Sequence, residues 1–596
     1  MSMQHITREL THVWRVFGVA LALALIGTSI RPGFAQETGQ EDKRTGFLVV
    51  AADRGFIGNE EIIDEFQAFA KSRNVALTFV TDERTEKYLK KNLDALLQGG
   101  AERIVVAPLF LSAAEPRFVL ARALLERNKP GVPLVYARPY GESYFAVEDL
   151  ADRFRGIQAP KEARVVVIGY GATGDENERK IKADLARIAD KAAAGFGFAS
   201  TRVLVGHDKT EEDDIEVRAS RLQKELTAAA EEGGAAGKSI VVPFHLGPKL
   251  DSMMSFDSKL KWLLPAGADI LAEGDRSSPA SGLSVWLQRE AHRSRPYAAE
   301  DVGVVLLAHG SDFNWNETMR EAVEPLAQRY KIEFAFSMAD PVTVERALRR
   351  LEQRGAKAAV IVRVYGMESS FRKDIERMVG LDIEEGDASG GSGYGGFMHG
   401  HGGGAPTHPA PRIRTALPVQ TVGGVGASPL FAAALLDRAQ ALSRNPARDT
   451  VILVAHGSGS DHVNEMWNRL LEEIAGHMRK AGGDKFHAIR VATWREDWPD
   501  KRASWIEKIR GMVTEAGSRG GRAIVIPART TGEGPEKQFL SGLEYDLGSG
   551  FAPHPLFVRW VDENIQAGLA RLDSARQAGV AQSEKERASY LEGWLR

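Results

Sequence analysis

Two histidines stand where this chain can do chemistry most readily. His309 closes the apolar run Val304-Val305-Leu306-Leu307-Ala308, and His456 closes Val451-Ile452-Leu453-Val454-Ala455. Each is followed by a glycine, a serine, an asparagine (Asn316, Asn464) and an amphipathic stretch. A parallel α/β sheet meets its ligands at the carboxyl ends of its strands, so an imidazole in that position faces a crevice. Its ordinary pKa lies near working pH, which makes His309 and His456 site candidates. The competing reading is a histidine that caps the turn; recurrence at the same place favours a ligand role.

The elements that must hold His309 follow in a fixed order. A second strand is expected at residues 332–337, and Pro341 opens a helix with Val344, Ala347, Leu348 and Leu351 on one face. Gly355 ends that helix, residues 358–364 are continuously apolar, a further strand falls around 416–419, and a helix runs over 430–442. This is the order of a small doubly wound parallel sheet.

The order occurs four times. Residues 47–51, 165–168 and Val451 onward start the other copies. Their third strands are expected at 104–108, 239–243 and 523–527, and their last at 134–137, 270–272 and 556–560. An asparagine follows each first strand, as Asn59, Asn177, Asn316 and Asn464. The expected fold is therefore α/β, with four doubly wound parallel-sheet units at 46–157, 163–294, 302–444 and 450–580. Each unit is near the lower size for a layer that is stable alone. Units one with two, and three with four, are expected to pair as two bilobal modules with a cleft between facing strand ends.

Composition narrows the function classes. A chain of 596 residues with 43% hydrophobic and 26% charged content is a folded protein of several domains. A net charge of -3 and the lack of a Lys/Arg block interleaved with aromatics argue against nucleic-acid binding. Arg8 and Arg15, an apolar run over 16–26 and small residues at the positions before a cut after Ala35 have the layout of a signal peptide at 1–35. Its apolar core is too short for a comfortable span, so an exported, periplasmic protein without a stable membrane span after cleavage is expected, with an uncleaved anchor as the alternative. The absence of cysteine leaves His, Asp, Glu, Met and Tyr as metal ligands. The glycine-rich insertion 386–408, with His399, His401 and His408, reads as a mobile loop, or alternatively as a weak metal-collecting one.

The motifs Ala308-His309-Gly310-Ser311 and Ala455-His456-Gly457-Ser458, with Asn316 and Asn464, Asp340-Pro341, Asp374-Ile375, and Gly426-Ala427-Ser428-Pro429 before Leu436-Asp437-Arg438, resemble the class II tetrapyrrole chelatases of the sirohydrochlorin cobalt chelatase type. The resemblance covers nearly all of units three and four and, more faintly, units one and two. It implies insertion of a divalent metal, cobalt or iron-group, into a sirohydrochlorin-like tetrapyrrole. The metal is then a substrate, no organic cofactor is needed, and the strand-end histidine binds the incoming ion and accepts a pyrrole proton. Small members of the family have one unit and pair, and long members fuse two, so four units look like a doubled long form.

The departures from the family pattern are specific. Unit one has Ala52 and unit two Tyr170 at the strand-end position, which makes both units degenerate. The family's second histidine is missing after the third strand of unit three, where Ser370 stands, and of unit four, which reads Gly534-Pro535-Glu536. Nearby carboxylates are Glu368, Glu533, Glu536 and Glu115. His309 with Glu368 is the expected catalytic pair, and His309, His456, Glu368 and Glu533 are the expected metal ligands. His245 and Tyr170 read as packing residues, each with a ligand role as the alternative; His462 reads equally as a ligand or as exposed. Trp494 and Trp498 read as core, with stacking on a macrocycle as the alternative. The rival function is an exported carrier of haem, tetrapyrrole or metal that does not turn over.

Overall fold

The computed structural model describes residues 44–594 apart from 72, 209–214, 232–237, 247–254, 272–281 and 385–408. The signal-peptide segment and the glycine- and histidine-rich insertion lie outside the described residues.

Four parallel sheets of four strands make up the described chain. The first holds β1 (Thr45–Ala52), β2 (Asn74–Val80), β3 (Arg103–Leu109) and β4 (Leu134–Tyr136). The second holds β5 (Ala163–Ala172), β6 (Ser200–His207), β7 (Lys238–Pro243) and β8 (Ala268–Ile270). In the third are β9 (Val302–Ala308), β10 (Lys331–Phe336), β11 (Ala358–Val364) and β12 (Val419–Gly423), and in the fourth β13 (Thr450–Ala455), β14 (Ala488–Thr493), β15 (Ala523–Pro527) and β16 (Asp546–Leu547). Every sheet has the order second, first, third, fourth. Every residue of β1, β9 and β13 is buried, because a central parallel strand is covered by helices on both faces and needs an unbroken apolar run.

Local patterning carries most of these elements. The helix Pro341–Gln353 buries Val344, Ala347, Leu348 and Leu351, the face its spacing predicts, and Asp340 caps it by accepting from the Val342 N–H at 3.3 Å. Two expectations are corrected. Residues 556–560 are not a strand but the start of the helix Pro555–Trp594; Phe557, Trp560, Val561 and Ile565 are all buried, which is a helical period, and the last strand is the two-residue β16. The strand expected around 416–419 starts only at Val419. The carbonyls of Ala416 and Leu417 are turned away from the sheet, to His292 (2.8 Å) and Arg289.

The final helices cross between neighbouring units. Pro429–Leu442, which follows β12, packs on β15 and on the helix Asp461–Lys480 of the fourth unit; Pro555–Trp594, which follows β16, packs on β11, β12 and the helix Phe313–Ala327 of the third. In the first half, Leu283–Arg293 packs on β3 and on the helix Gly55–Ala70, and Tyr144–Phe154 packs on Asp175–Ala193. The first and second sheets accordingly share one apolar core, and the third and fourth another. Polar contacts join the first half to the third unit: Arg289 pairs with Glu384 at 2.9 Å, and Arg412 with Glu148 at 3.3 Å. Among the described residues no helix is long and apolar enough to cross a membrane.

Candidate metal centre

His456 follows the last residue of β13, and the turn beyond it is fixed from several sides. Gly457 has φ 82°, and a Cβ there would stand 2.8 Å from the Asn464 Oδ1 and 2.9 Å from the Thr493 Cβ, so only glycine fits. Asn464, buried on the following helix, accepts from the Ser458 N–H (3.2 Å) and the Thr493 hydroxyl (2.9 Å). The other recurring asparagines do the same work: Asn59 accepts from Arg54 N–H (2.9 Å), Asn177 from Thr173 N–H (3.1 Å) and Asn316 from Ser311 N–H (3.2 Å). Their recurrence thus reflects turn geometry at the strand end.

The imidazoles of His309 and His456 are oriented alike. Nδ1 lies 2.8 Å from the Gly310 carbonyl in one and 2.9 Å from the Gly457 carbonyl in the other. A nitrogen facing a carbonyl oxygen carries a proton, which makes Nε2 the outward ring atom, the one a histidine so held offers to a metal.

What Nε2 meets differs between the two units. In the fourth, Asp497 Oδ2 is 2.8 Å and Glu496 Oε1 3.4 Å from His456 Nε2. Among the described residues these three form the one group of His, Asp or Glu whose donor atoms all lie within 4.8 Å of one another. A lone pair and a carboxylate oxygen at that separation repel unless a proton or a metal ion lies between them. Bonds of about 2.1 Å at ordinary ligand angles put neighbouring donors about 3 Å apart, so the spacing suits a divalent ion. The site is open to solvent: His456 is 35% and Asp497 67% exposed, whereas Glu496 is 17% exposed.

The loop after β14 brings the two acids to the histidine. Thr493 pairs with Ala455, Trp494 N–H donates to the Ala455 carbonyl at 2.8 Å, and Glu496 N–H reaches the His456 carbonyl at 3.4 Å. Arg495 turns the chain with φ 49° and ties the two loops together, donating to the Ser458 carbonyl (2.7 Å) and the Gly459 carbonyl (2.6 Å) and pairing with Asp461 (2.7 Å). Trp498 sets its ring edge-on to His456 at 5.5 Å, and Trp494 is fully buried, with its N–H on the Glu536 carboxylate at 3.0 Å. Arg529, just past β15, pairs with the second oxygen of Glu496.

The sirohydrochlorin cobaltochelatase of Saccharolobus solfataricus is 32% identical over 87 residues, which are 14% of this chain and 68% of the relative. A family model described as CbiX matches residues 58–156. The chain belongs to the CbiX family of class II chelatases. The sirohydrochlorin cobaltochelatase of Saccharolobus islandicus is 31% identical over the same length and shares of the two chains. Among solved structures, SirB from Bacillus subtilis with Fe3+ is 18% identical, covering 38% of this chain and 87% of that one, with a TM-score of 0.28. DR2241 from Deinococcus radiodurans is 20% identical, covering 45% and 55%, with a TM-score of 0.29.

The CbiX match lies in the first unit, whereas the motifs resemble the family most in units three and four. The matched stretch begins after the first strand of that unit, whose strand end carries the buried Ala52. In this CbiX member His309 is exposed, and neither it, Glu368 nor Glu533 belongs to a group of three ligand donors among the described residues. Glu368 is exposed, and Glu533 pairs with Lys537 at 2.6 Å. Glu536 is fully buried and accepts from Trp494 and the Gly534 N–H, which makes it a loop anchor. Glu115 anchors the matching loop of unit one, accepting from Leu111 N–H (2.7 Å) and Ser112 N–H (3.0 Å); burial pushes its pKa up to about 7.

Tyr170 packs on Phe256 and donates to Asp208 at 2.8 Å, and His245 lies 3.5 Å from Asp257. His462 is exposed, outside the group around His456. Glu496 and Asp497 were not singled out from the sequence. The available signal was an acid pair between two tryptophans, Trp494-Arg495-Glu496-Asp497-Trp498, directly after the second strand of the unit.

Proposed function

We propose that this CbiX family member inserts a divalent metal, cobalt or iron-group, into a sirohydrochlorin-like tetrapyrrole, and that the fourth unit captures the ion. The observation that carries the reading is the approach of Asp497 and Glu496 to His456 Nε2. An incoming ion replaces the proton that otherwise lies between imidazole and carboxylate, and release to the macrocycle returns a proton to the same place. His309 is the proposed acceptor of a pyrrole proton, since its Nε2 is held outward and, among the described residues, belongs to no group of three ligand donors. Glu368 and Glu533, on the loops after the third strands, are proposed as secondary carboxylates on the path of the metal.

Two contacts support a shared mouth between the third and fourth units. Trp315, six residues after His309, lies against Gly532 of the fourth unit, and Trp467 of the fourth lies against Gly366 of the third. The first half, which lacks both strand-end histidines, is read as a scaffold or substrate-holding module, and four such units as a doubled long form. The N-terminal segment carries the proposal of export to the periplasm.

The test mixes the purified chain with sirohydrochlorin and excess cobalt(II) and follows the absorption spectrum. Conversion of many equivalents, lost in His456→Ala, is the expected result. A carrier is the second reading, favoured by the loss of two of the four strand-end histidines; a change that stops at one equivalent would establish it instead.

A further inference from the structure

We infer that Arg529 is a positioning residue that keeps the captured metal exchangeable, by holding one oxygen of Glu496 with a fixed positive charge. This rests on the metal site proposed at His456. The Arg529 Nη2 bonds Glu496 Oε2, while Oε1 of the same carboxylate faces His456 Nε2. Both partners are largely buried, with Arg529 20% and Glu496 17% exposed.

The pair is built into the loops. A Cβ on Gly534 would stand 2.3 Å from the guanidinium nitrogen, so the glycine lets its loop lie directly on Arg529. The Arg529 carbonyl accepts from Phe551 N–H at 2.9 Å, and the Glu496 carbonyl accepts from Arg502 at 2.8 Å. Both main chains are thus tied at the points from which the two side chains extend.

Strand register shows that the cation is particular to this unit. Pro527 pairs with Val454, and Arg529 is two residues further on. The residues paired with the matching positions of the other first strands are Pro108, Pro243 and Arg363, opposite Val50, Ile168 and Leu307. Two residues beyond them stand Phe110, His245 and Tyr365. Three units therefore place a ring at this point, and the unit with the acid pair places a guanidinium.

The charge has a chemical consequence. A neutral imidazole and two free carboxylates would cancel the charge of a divalent ion and hold it as a resident metal. Arg529 restricts Glu496 to one oxygen and repels the dication, and affinity for hard and borderline ions follows ligand charge and site rigidity. A chelatase needs such weakening, because its metal must leave for the macrocycle.

The experiment titrates the full-length chain with cobalt(II) chloride alone, reading the visible cobalt bands and competition with a chelator. Arg529→Met and Arg529→Gln are expected to bind cobalt about tenfold more tightly or better and to release it to sirohydrochlorin more slowly. Arg529→Lys, which keeps the charge, is expected to stay within about threefold of the native chain. Affinity unchanged or weakened in a folded Met or Gln variant overturns the inference while leaving the metal site standing, provided that His456→Ala loses cobalt. If His456→Ala binds cobalt like the native chain, the metal site itself fails and this inference with it.

Discussion

The third and fourth units present the same histidine on the same turn, yet among the described residues only that of the fourth meets acids. Both imidazoles rest Nδ1 on the following glycine carbonyl, and both turns are held by an asparagine. The divergence lies one strand away. After β14 the chain makes a second contact back to the first loop, Glu496 N–H to the His456 carbonyl, and sets two carboxylates over the ring. After β10 it makes the first such contact, Ser337 N–H to the Ala308 carbonyl at 2.9 Å, and then turns into its helix, spending Asp340 on the cap. A strand-end histidine is thus a position, and the second-strand loop decides whether carboxylates stand beside it.

The largest effect should come from breaking the fourth site. His456→Ala, and the double change Glu496→Ala with Asp497→Ala, should each weaken cobalt binding on the order of a hundredfold, about 2.7 kcal/mol, whereas His309→Ala should leave cobalt affinity within about threefold and slow insertion. Equal losses of cobalt from both histidine variants would erase the distinction between the units. Moving the loop is the converse experiment. Replacing residues 337–340 with the sequence of 494–498 should give the third unit a second, weaker cobalt equivalent, visible as a second inflection in the titration.

The third-strand loops extend the comparison to stability. Glu115 in the first unit closes its loop as Glu536 does in the fourth, and burial raises the Glu115 pKa from the ordinary 4.5 to about 7. Folded chain then holds this proton more tightly than unfolded chain, so stability from this group is greatest below about pH 4.5, falls as pH rises, and reaches its full cost above about pH 7. Glu115→Gln should flatten that slope and stabilise the chain above pH 7, by on the order of 2–3 kcal/mol, as read from urea midpoints at several pH values. A variant with the native slope would remove Glu115 as its source. The smallest effect separates the asparagines. Asn464→Ala should cost about 1–2 kcal/mol and Asn316→Ala about 1 kcal/mol or less, since Asn464 is buried with two donors and Asn316 is half-buried with one.

Much of the fold was legible because its determinants are local. The buried face of the helix Pro341–Gln353 and the strand Ala358–Val364 follow directly from apolar spacing. Residues 556–560 misled because five mostly apolar residues fit a buried strand and a buried helix equally well; the deciding residues, Val561 and Ile565, lie beyond that window. The start of β12 depended on Arg289 and His292, more than a hundred positions distant, which claim the carbonyls of 416 and 417. His456 was legible as the end of an apolar run. Glu496 and Asp497 were not, because acids in a short loop look like ordinary surface until β13 and β14 are placed side by side.

Anomalous diffraction from crystals soaked in cobalt(II) tests the central claim most directly. The account predicts a peak within bonding distance of His456 Nε2, flanked by carboxylate oxygens of Glu496 and Asp497. A peak on His309, with none at His456, would contradict it.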